Sequence, residues 1–346
     1  MERKKFIHFI ALAGATFQFL PKRLDAKNQL KKSGFSDPAF HTPPYLKPGN
    51  TIGISAAAGY ITQEEIQPAL LEIQSWGLQI QCGSTIGTRY FTFAATDLER
   101  IKDLQSMLDD EKLQAIMCAR GGYGLIRIID QLDFTKFIQH PKWLIGFSDA
   151  TVLLNHVFSN FGIASLHSKM CNSFPDNPSL ADAVQTATIQ SIRKALFGEK
   201  IAYDIPWNIH NKTGIAQGVL IGGNFKTMES LNESLSEMDV ENALLFLEDT
   251  GEYLYSIDRM FWGLKRSGKL AKLKGLIIGG FKIKPDDPGE AFGKSIEEIV
   301  LEKTSEYHYP ICFDFPVGHQ KNNFAIKHGV IHSLEVTSIK ATLIES

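Results

Sequence analysis

The feature that most constrains this chain is a strand-then-helix rhythm that begins near residue 51 and repeats to residue 162. "TIGISAA" is a short β-rich run. "TQEEIQPALLEIQSWG" then places Ile66, Leu70, Ile73 and Trp76 at helical spacing, with Gly77 as a stop. "LQIQCG" alternates like a strand, and "TDLERIKDLQSMLDD" sets Leu98, Ile101, Leu104 and Leu108 on one helical face. The pattern continues with "LQAIMCA" as strand, "GLIRIIDQL" as helix, "KWLIGF" as strand and "ATVLLNHVFSNFG" as helix. Such alternation folds as α/β, an open parallel sheet whose crossover helices bury their apolar stripes on its two faces. Ligands then sit beyond the carboxyl ends of the strands. Three of those ends are chemically unusual: "SAAAGY" (55–60), "ARGGYG" (119–124) and "GFSDA" (146–150).

The expected organisation has four parts. Residues 1–43 read as a signal-like leader and polar spacer, and residues 44–171 form the amino-terminal domain. Residues 172–205, with Pro175 and Pro178, form an inter-domain linker region. Residues 206–346 form a smaller, β-rich mixed α/β carboxy-terminal domain. The leader places Arg3, Lys4 and Lys5 before an apolar run from Phe6 to Ala15, too short for a permanent span of about 20 residues. If it is a true signal the protein is exported or periplasmic, and otherwise cytoplasmic. No other segment spans a membrane. The formal net charge of −2 supplies no basic field for a nucleic-acid backbone. The four cysteines show no Cys-x-x-Cys spacing, so neither a zinc knuckle nor a redox pair is expected. Cys82, Cys118 and Cys312 read as buried free thiols.

Four positions carry possible chemistry. Ser148 falls on a strand-to-helix turn, beside free N–H groups at the positive end of a helix, where an oxyanion would be stabilised. Serine is equally a favoured helix N-cap, and the G-x-S-x-G elbow is not matched. The run Arg120-Gly121-Gly122-Tyr123-Gly124 allows close backbone approach to a ligand, or is a plain tight turn. Glu248 and Asp249 end an apolar strand, where a carboxylate can orient a histidine or simply face solvent. His319, in "DFPVGHQKNNFAI", has the polar loop-end setting of a general base. His140, His210, His308 and His328 read as surface positions. Taken together, a serine in one domain and a carboxylate and a histidine in the other fit a nucleophile, base and orienter meeting across an inter-domain cleft.

The ordered set "ARGGYG…LIGFSDAT…LIGGN…LFLEDTGE…IDRMFWGL…FPVGHQKNN" resembles the LD-carboxypeptidases, over about residues 44–343. The family includes murein-tetrapeptide and microcin-immunity branches. The resemblance implies Ser148 as nucleophile, Glu248 as orienting carboxylate and His319 as general base. It implies the backbone N–H groups of Gly122 and Asp149 as the oxyanion hole. It also implies an amino-terminal domain like the class I glutamine amidotransferases, no cofactor and no metal. The implied partner is a small peptide, a peptidoglycan fragment from which a terminal D-alanine is released, and homodimers would suit the family. Arg259 and Asn224 are candidate substrate contacts, the first also readable as an ion-pair partner and the second as a helix cap. Where the family pattern has His-Gly-Pro-Met, this chain has His167-Ser168-Lys169-Met170. Lys169 could meet a substrate carboxylate or be solvated. Two rival readings are a peptidyl-nucleotide antibiotic hydrolase and a non-catalytic two-lobed solute-binding protein.

Overall fold

A computed structural model describes residues 40–346, so the leader and nearly all of the spacer lie outside the described residues. In the first sheet, β1 (Thr51–Ser55), β2 (Gln79–Cys82), β3 (Leu113–Cys118), β4 (Trp143–Gly146) and β5 (Ser165–His167) run parallel in the order β5-β4-β3-β1-β2. Helices α1 (Gln63–Ser75), α2 (Asp97–Asp109), α3 (Thr135–Gln139) and α4 (Thr151–Phe161) lie between successive strands. Capping boxes start α1 (Thr62 with Glu65) and α2 (Thr96 with Glu99), and Gly162 ends α4 in the left-handed region. Chain direction across the sheet reverses between β1 and β3, which opens a crevice beyond their carboxyl ends.

Helix α5 (Ala183–Leu196) precedes the second sheet. Its strands are β6 (Ala202–Pro206), β7 (Gly214–Asn224), β8 (Leu244–Thr250), β9 (Gly275–Lys282), β10 (Ile311–Cys312), β12 (Val330–Val336) and β13 (Lys340–Glu345), with the intervening β11 (Ile326–His328) outside this sheet. The order is β10-β9-β8-β7-β12-β13-β6. The long β7 serves both styles of pairing, antiparallel to β12 at its start and parallel to β8 at its end. One face carries α6 (Phe225–Ser230), α7 (Leu254–Arg266) and α8 (Ile296–Thr304). Ile257, Met260, Phe261 and Leu264 recur at helical spacing along α7 and are buried, each stabilising the fold by roughly 1.5–3 kcal/mol. Among the described residues no helix is long and apolar enough to cross a membrane.

Three local expectations change. "GLIRIIDQL" forms two short 3-10 turns, Leu125–Arg127 and Ile129–Gln131, not an α-helix. The amide of Leu125 is taken by the buried Asp149 carboxylate at 2.9 Å, so a tertiary partner overrides the local helical pattern. Cys82 is exposed, because β2 is the edge strand; Cys118, Cys171 and Cys312 are buried free thiols. His328 is fully buried and not at the surface. It belongs to β11, which returns from near the end of the chain to pair antiparallel with β5 in the first sheet. A buried ion pair, Lys327 Nζ to Glu345 Oε1 at 2.9 Å, ties that strand to β13 of the second sheet.

Candidate active site

The site forms where the carboxyl ends of β3 and β4 meet those of β7 and β8. Ser148 follows the fully buried β4 and adopts φ 61°, a left-handed conformation costly for a non-glycine residue. A 3-10 turn, Ser148–Ala150, leads into α4, and the serine side chain makes no capping hydrogen bond. The N-cap alternative for Ser148 is therefore not what this turn does: the strained backbone presents a half-buried hydroxyl. Gly121 lies directly against it. A Cβ at Gly121 would sit 2.9 Å from both Cβ and Oγ of Ser148, so a side chain there would displace the hydroxyl. The amides of Gly122 and Asp149 have no acceptor among the described residues.

Asp149 holds this shelf in place from beneath. Its carboxylate accepts the Leu125 amide and faces that of Gly124. Burial pushes the carboxyl up to about 6, against the opposing pull of those two amides and of Arg100. On the other side, Gly59 donates its amide to the Gly121 carbonyl at 3.1 Å, and Arg120 Nη1 donates to the Tyr60 carbonyl at 2.8 Å.

Glu248 lies within β8 where the β8–β9 ladder slips register, between Leu247 and Asp249. Such irregularities re-aim side chains beside active sites. The carboxylate is completely buried, and its Oε2 is 2.5 Å from His319 Nδ1. Burial pushes this carboxyl up, but the neighbouring histidines His167 and His319 outweigh that effect and hold it below its ordinary value. The His319 turn fits only because residue 318 is glycine. Gly318 has φ 98°, and a Cβ there would fall 2.3 Å from Glu248 Cβ. Asn323 Oδ1 accepts the Gly318 amide, and the Gln320 side chain donates to the carbonyls of Phe315 and Val317. The His319 ring packs on Phe147, the residue before Ser148, at 4.9 Å between centroids. The structure therefore brings Ser148, Glu248 and His319 to one place.

The two candidate substrate contacts differ. Asn224 is buried at the end of β7, paired in register with Glu248. Its Oδ1 accepts the Thr227 amide as the α6 N-cap, and its Nδ2 donates to Asp249 Oδ1. Its own amide donates to Thr151 Oγ1, which docks α4 on the second sheet. Arg259 is exposed on α7, with its guanidinium over the Tyr255 ring at 5.3 Å; it makes no ion pair among the described residues. Lys169 is half-buried, donating to the Gln320 carbonyl at 2.8 Å with its ammonium 5.7 Å from the Phe147 ring centroid. It is thus a strap from the first sheet to the His319 turn, not a solvated lysine. The sequence assigns no role to the side chain of Asp149, and it names His167 only as the start of the His167-Ser168-Lys169-Met170 run, whereas the fold sets its Nε2 3.9 Å from Glu248 Oε1. Only the alternation in "SLH", which turns Ser165 and His167 to one face of β5, hints at the latter. Among the described residues no group of three His, Cys, Asp or Glu side chains is placed to hold a metal ion.

Comparison with known proteins identifies the family and the fold. The LD-carboxypeptidase N-terminal domain matches residues 52–168, and the LD-carboxypeptidase C-terminal domain matches residues 217–334. The "Probable murein peptide carboxypeptidase" of Bacillus subtilis is 29% identical over 308 residues, covering 88% of this chain and 95% of its own. The crystal structure of muramoyltetrapeptide carboxypeptidase from Oxalobacter formigenes superposes with a TM-score of 0.76 at 25% identity, over 86% of this chain and 99% of that one. MccF in complex with glutamyl sulfamoyl guanosine superposes with a TM-score of 0.77 at 20% identity, over 88% and 98%, a likeness of fold. With both domains of one family matched in order along the sequence, this chain belongs to the LD-carboxypeptidase family and is a serine-type carboxypeptidase.

Proposed function

We propose that this protein releases the terminal D-alanine from murein tetrapeptides through a Ser148–His319–Glu248 triad. The observation that carries the reading is the buried Glu248 carboxylate 2.5 Å from His319 Nδ1, with the His319 ring packed on Phe147, the residue before the positive-φ Ser148. His319 Nε2 takes the proton of Ser148 as Oγ attacks the scissile carbonyl, and Glu248 stabilises the imidazolium that forms. The amides of Gly122 and Asp149 receive the oxyanion. His319 then protonates the departing amine, and water hydrolyses the acyl-enzyme by the reverse proton path. The murein substrate is supported by the names of the Bacillus and Oxalobacter relatives. Asn224 serves by fixing the end of β7 beside Glu248, and Arg259 reaches the substrate from the exposed face of α7. The leader supports export, which intact mass of the protein recovered from the producing cell tests. The solute-binding reading does not survive family membership.

The test is mass spectrometry of a murein tetrapeptide incubated with wild type and with Ser148→Ala. Loss of one D-alanine with wild type alone is the expected result. If wild type leaves the tetrapeptide intact and instead cleaves an aminoacyl sulfamoyl nucleoside, the antibiotic-immunity reading replaces it, as the 26% identity to the microcin C7 self-immunity protein MccF of Escherichia coli would favour.

A further inference from the structure

Glu248 has two carboxylate oxygens, and the reaction described above uses one. Oε2 meets His319; Oε1 is buried and has no hydrogen-bond partner. An ionised, fully buried carboxylate with a bare oxygen is costly, so what faces that oxygen matters. The facing group is His167, the last residue of β5, 1% exposed, with Nε2 3.9 Å from Oε1. Neither of its ring nitrogens has another partner. The separation is longer than a hydrogen bond, and a small closing movement brings it within range. The imidazole cannot swing elsewhere: it is set edge-on to Phe147 at 5.9 Å and to Phe246 at 5.0 Å. Phe147 is also the ring on which His319 packs. The first sheet thus contributes His167, through β5, and Phe147, the residue before the nucleophile, whose ring contacts both His167 and His319.

We infer that His167 is a positioning residue of the catalytic triad, a neutral N–H donor that fixes the rotation of Glu248 by engaging Oε1 while His319 engages Oε2. The inference rests on the triad reading and adds a fourth member to it. An imidazole in the Nε2–H tautomer satisfies the bare oxygen without adding a buried charge. With Oε1 held, the lone pairs of Oε2 stay on Nδ1 as His319 becomes imidazolium. The other charged groups facing Glu248 are His319, Lys169 and its chain neighbour Asp249, and the group facing His167 is His328. Loss of the His167 donor removes support from the Glu248 anion and leaves more of its charge to His319. Glu248 then ionises only at higher pH, and the low-pH limb of activity moves upward with it.

The test compares His167→Gln with His167→Asn. A glutamine amide reaches about where imidazole Nε2 stood, and an asparagine amide stops near the position of Nδ1. His167→Gln is expected within about threefold of wild-type kcat/KM with its low-pH limb unmoved. His167→Asn is expected to lose about 10- to 100-fold, in kcat more than KM, with the limb displaced to higher pH. His167→Leu takes the place of asparagine if that variant does not fold. Equal losses in the glutamine and donor-less variants, or a donor-less variant with an unmoved limb, overturn the inference. A wild type inert towards tetrapeptide sinks the triad reading instead. The inference then still stands or falls on the NMR titration of the His319 Nδ1 proton: it must shift in the donor-less variant and not in His167→Gln.

Discussion

Replacing Gly318 with alanine tests the geometry of the site at its tightest point. The added Cβ would lie 2.3 Å from Glu248 Cβ and 2.8 Å from Oε2. Carbon atoms in contact rest at about 3.5–4.0 Å, so the His319 turn and Glu248 must part by more than about 1 Å. The bond to be preserved is 2.5 Å from Nδ1 to Oε2. Stretching it by that amount takes it beyond hydrogen-bond length. The backbone adds strain, because φ 98° suits glycine and costs other residues on the order of 1–3 kcal/mol. Release cannot come from Glu248 moving away, since it is embedded in β8 with no exposed surface. The turn must move instead, against Asn323, Gln320 and the Lys169 strap. We expect Gly318→Ala to lower kcat about 100-fold with KM within a few-fold of wild type, and to lower unfolding stability by roughly 1–3 kcal/mol. Steady-state kinetics of D-alanine release and urea unfolding read the two effects. A variant with wild-type kcat would refute the claim that the absence of a side chain at 318 sets the His319–Glu248 contact.

Two predictions concern pH. Burial raises Asp149 to about 6 in the folded state, above its ordinary 3.8, so its contribution to stability is full below about pH 4 and is lost as pH rises through about 6. Asp149→Asn, which cannot ionise, should therefore gain on wild type by about 2–3 kcal/mol between pH 4 and 7 in urea titrations; parallel curves would show that the carboxyl titrates normally. kcat should fall in the same variant, since one acceptor for the glycine shelf is weakened. His328 is lowered to about 3 by burial and by His167, so the stability it contributes is present above about pH 6.5 and lost as pH falls toward 3. His328→Phe, set among Phe158 and Phe246, should move the acid-unfolding midpoint to lower pH, and an unmoved midpoint would mean that this histidine charges without cost.

Much of the first sheet was legible because local chemistry wrote it. The apolar spacing of Ile66, Ile73, Leu104 and Leu108 and the capping residues Thr62 and Thr96 act within a few residues of chain. Ser148, Glu248 and His319 were legible as candidates because each stands where an apolar run stops at a polar group. Their joint role was read from the three residue types and the family resemblance, but the contact itself was not legible, since 71 residues separate Glu248 from His319 and the ladder slip at Glu248 leaves no local trace. "GLIRIIDQL" misled because its helical spacing yields to the amide bond from Leu125 to Asp149. His328 misled because the chain returns β11 to the first sheet, a pairing no window of sequence contains.

The sequence by itself determined the strand and helix alternation, the near-neutral net charge and the residue types available for acyl transfer, because these depend on periodicity, charge and side-chain chemistry. Only the tertiary structure decided that Ser148 would be strained and not a cap, that Gly318 would press on Glu248, and that Glu248 would be bracketed by two histidines. Those outcomes depend on which distant backbone arrives within a few ångströms, and on burial that turns such proximity into a strong interaction.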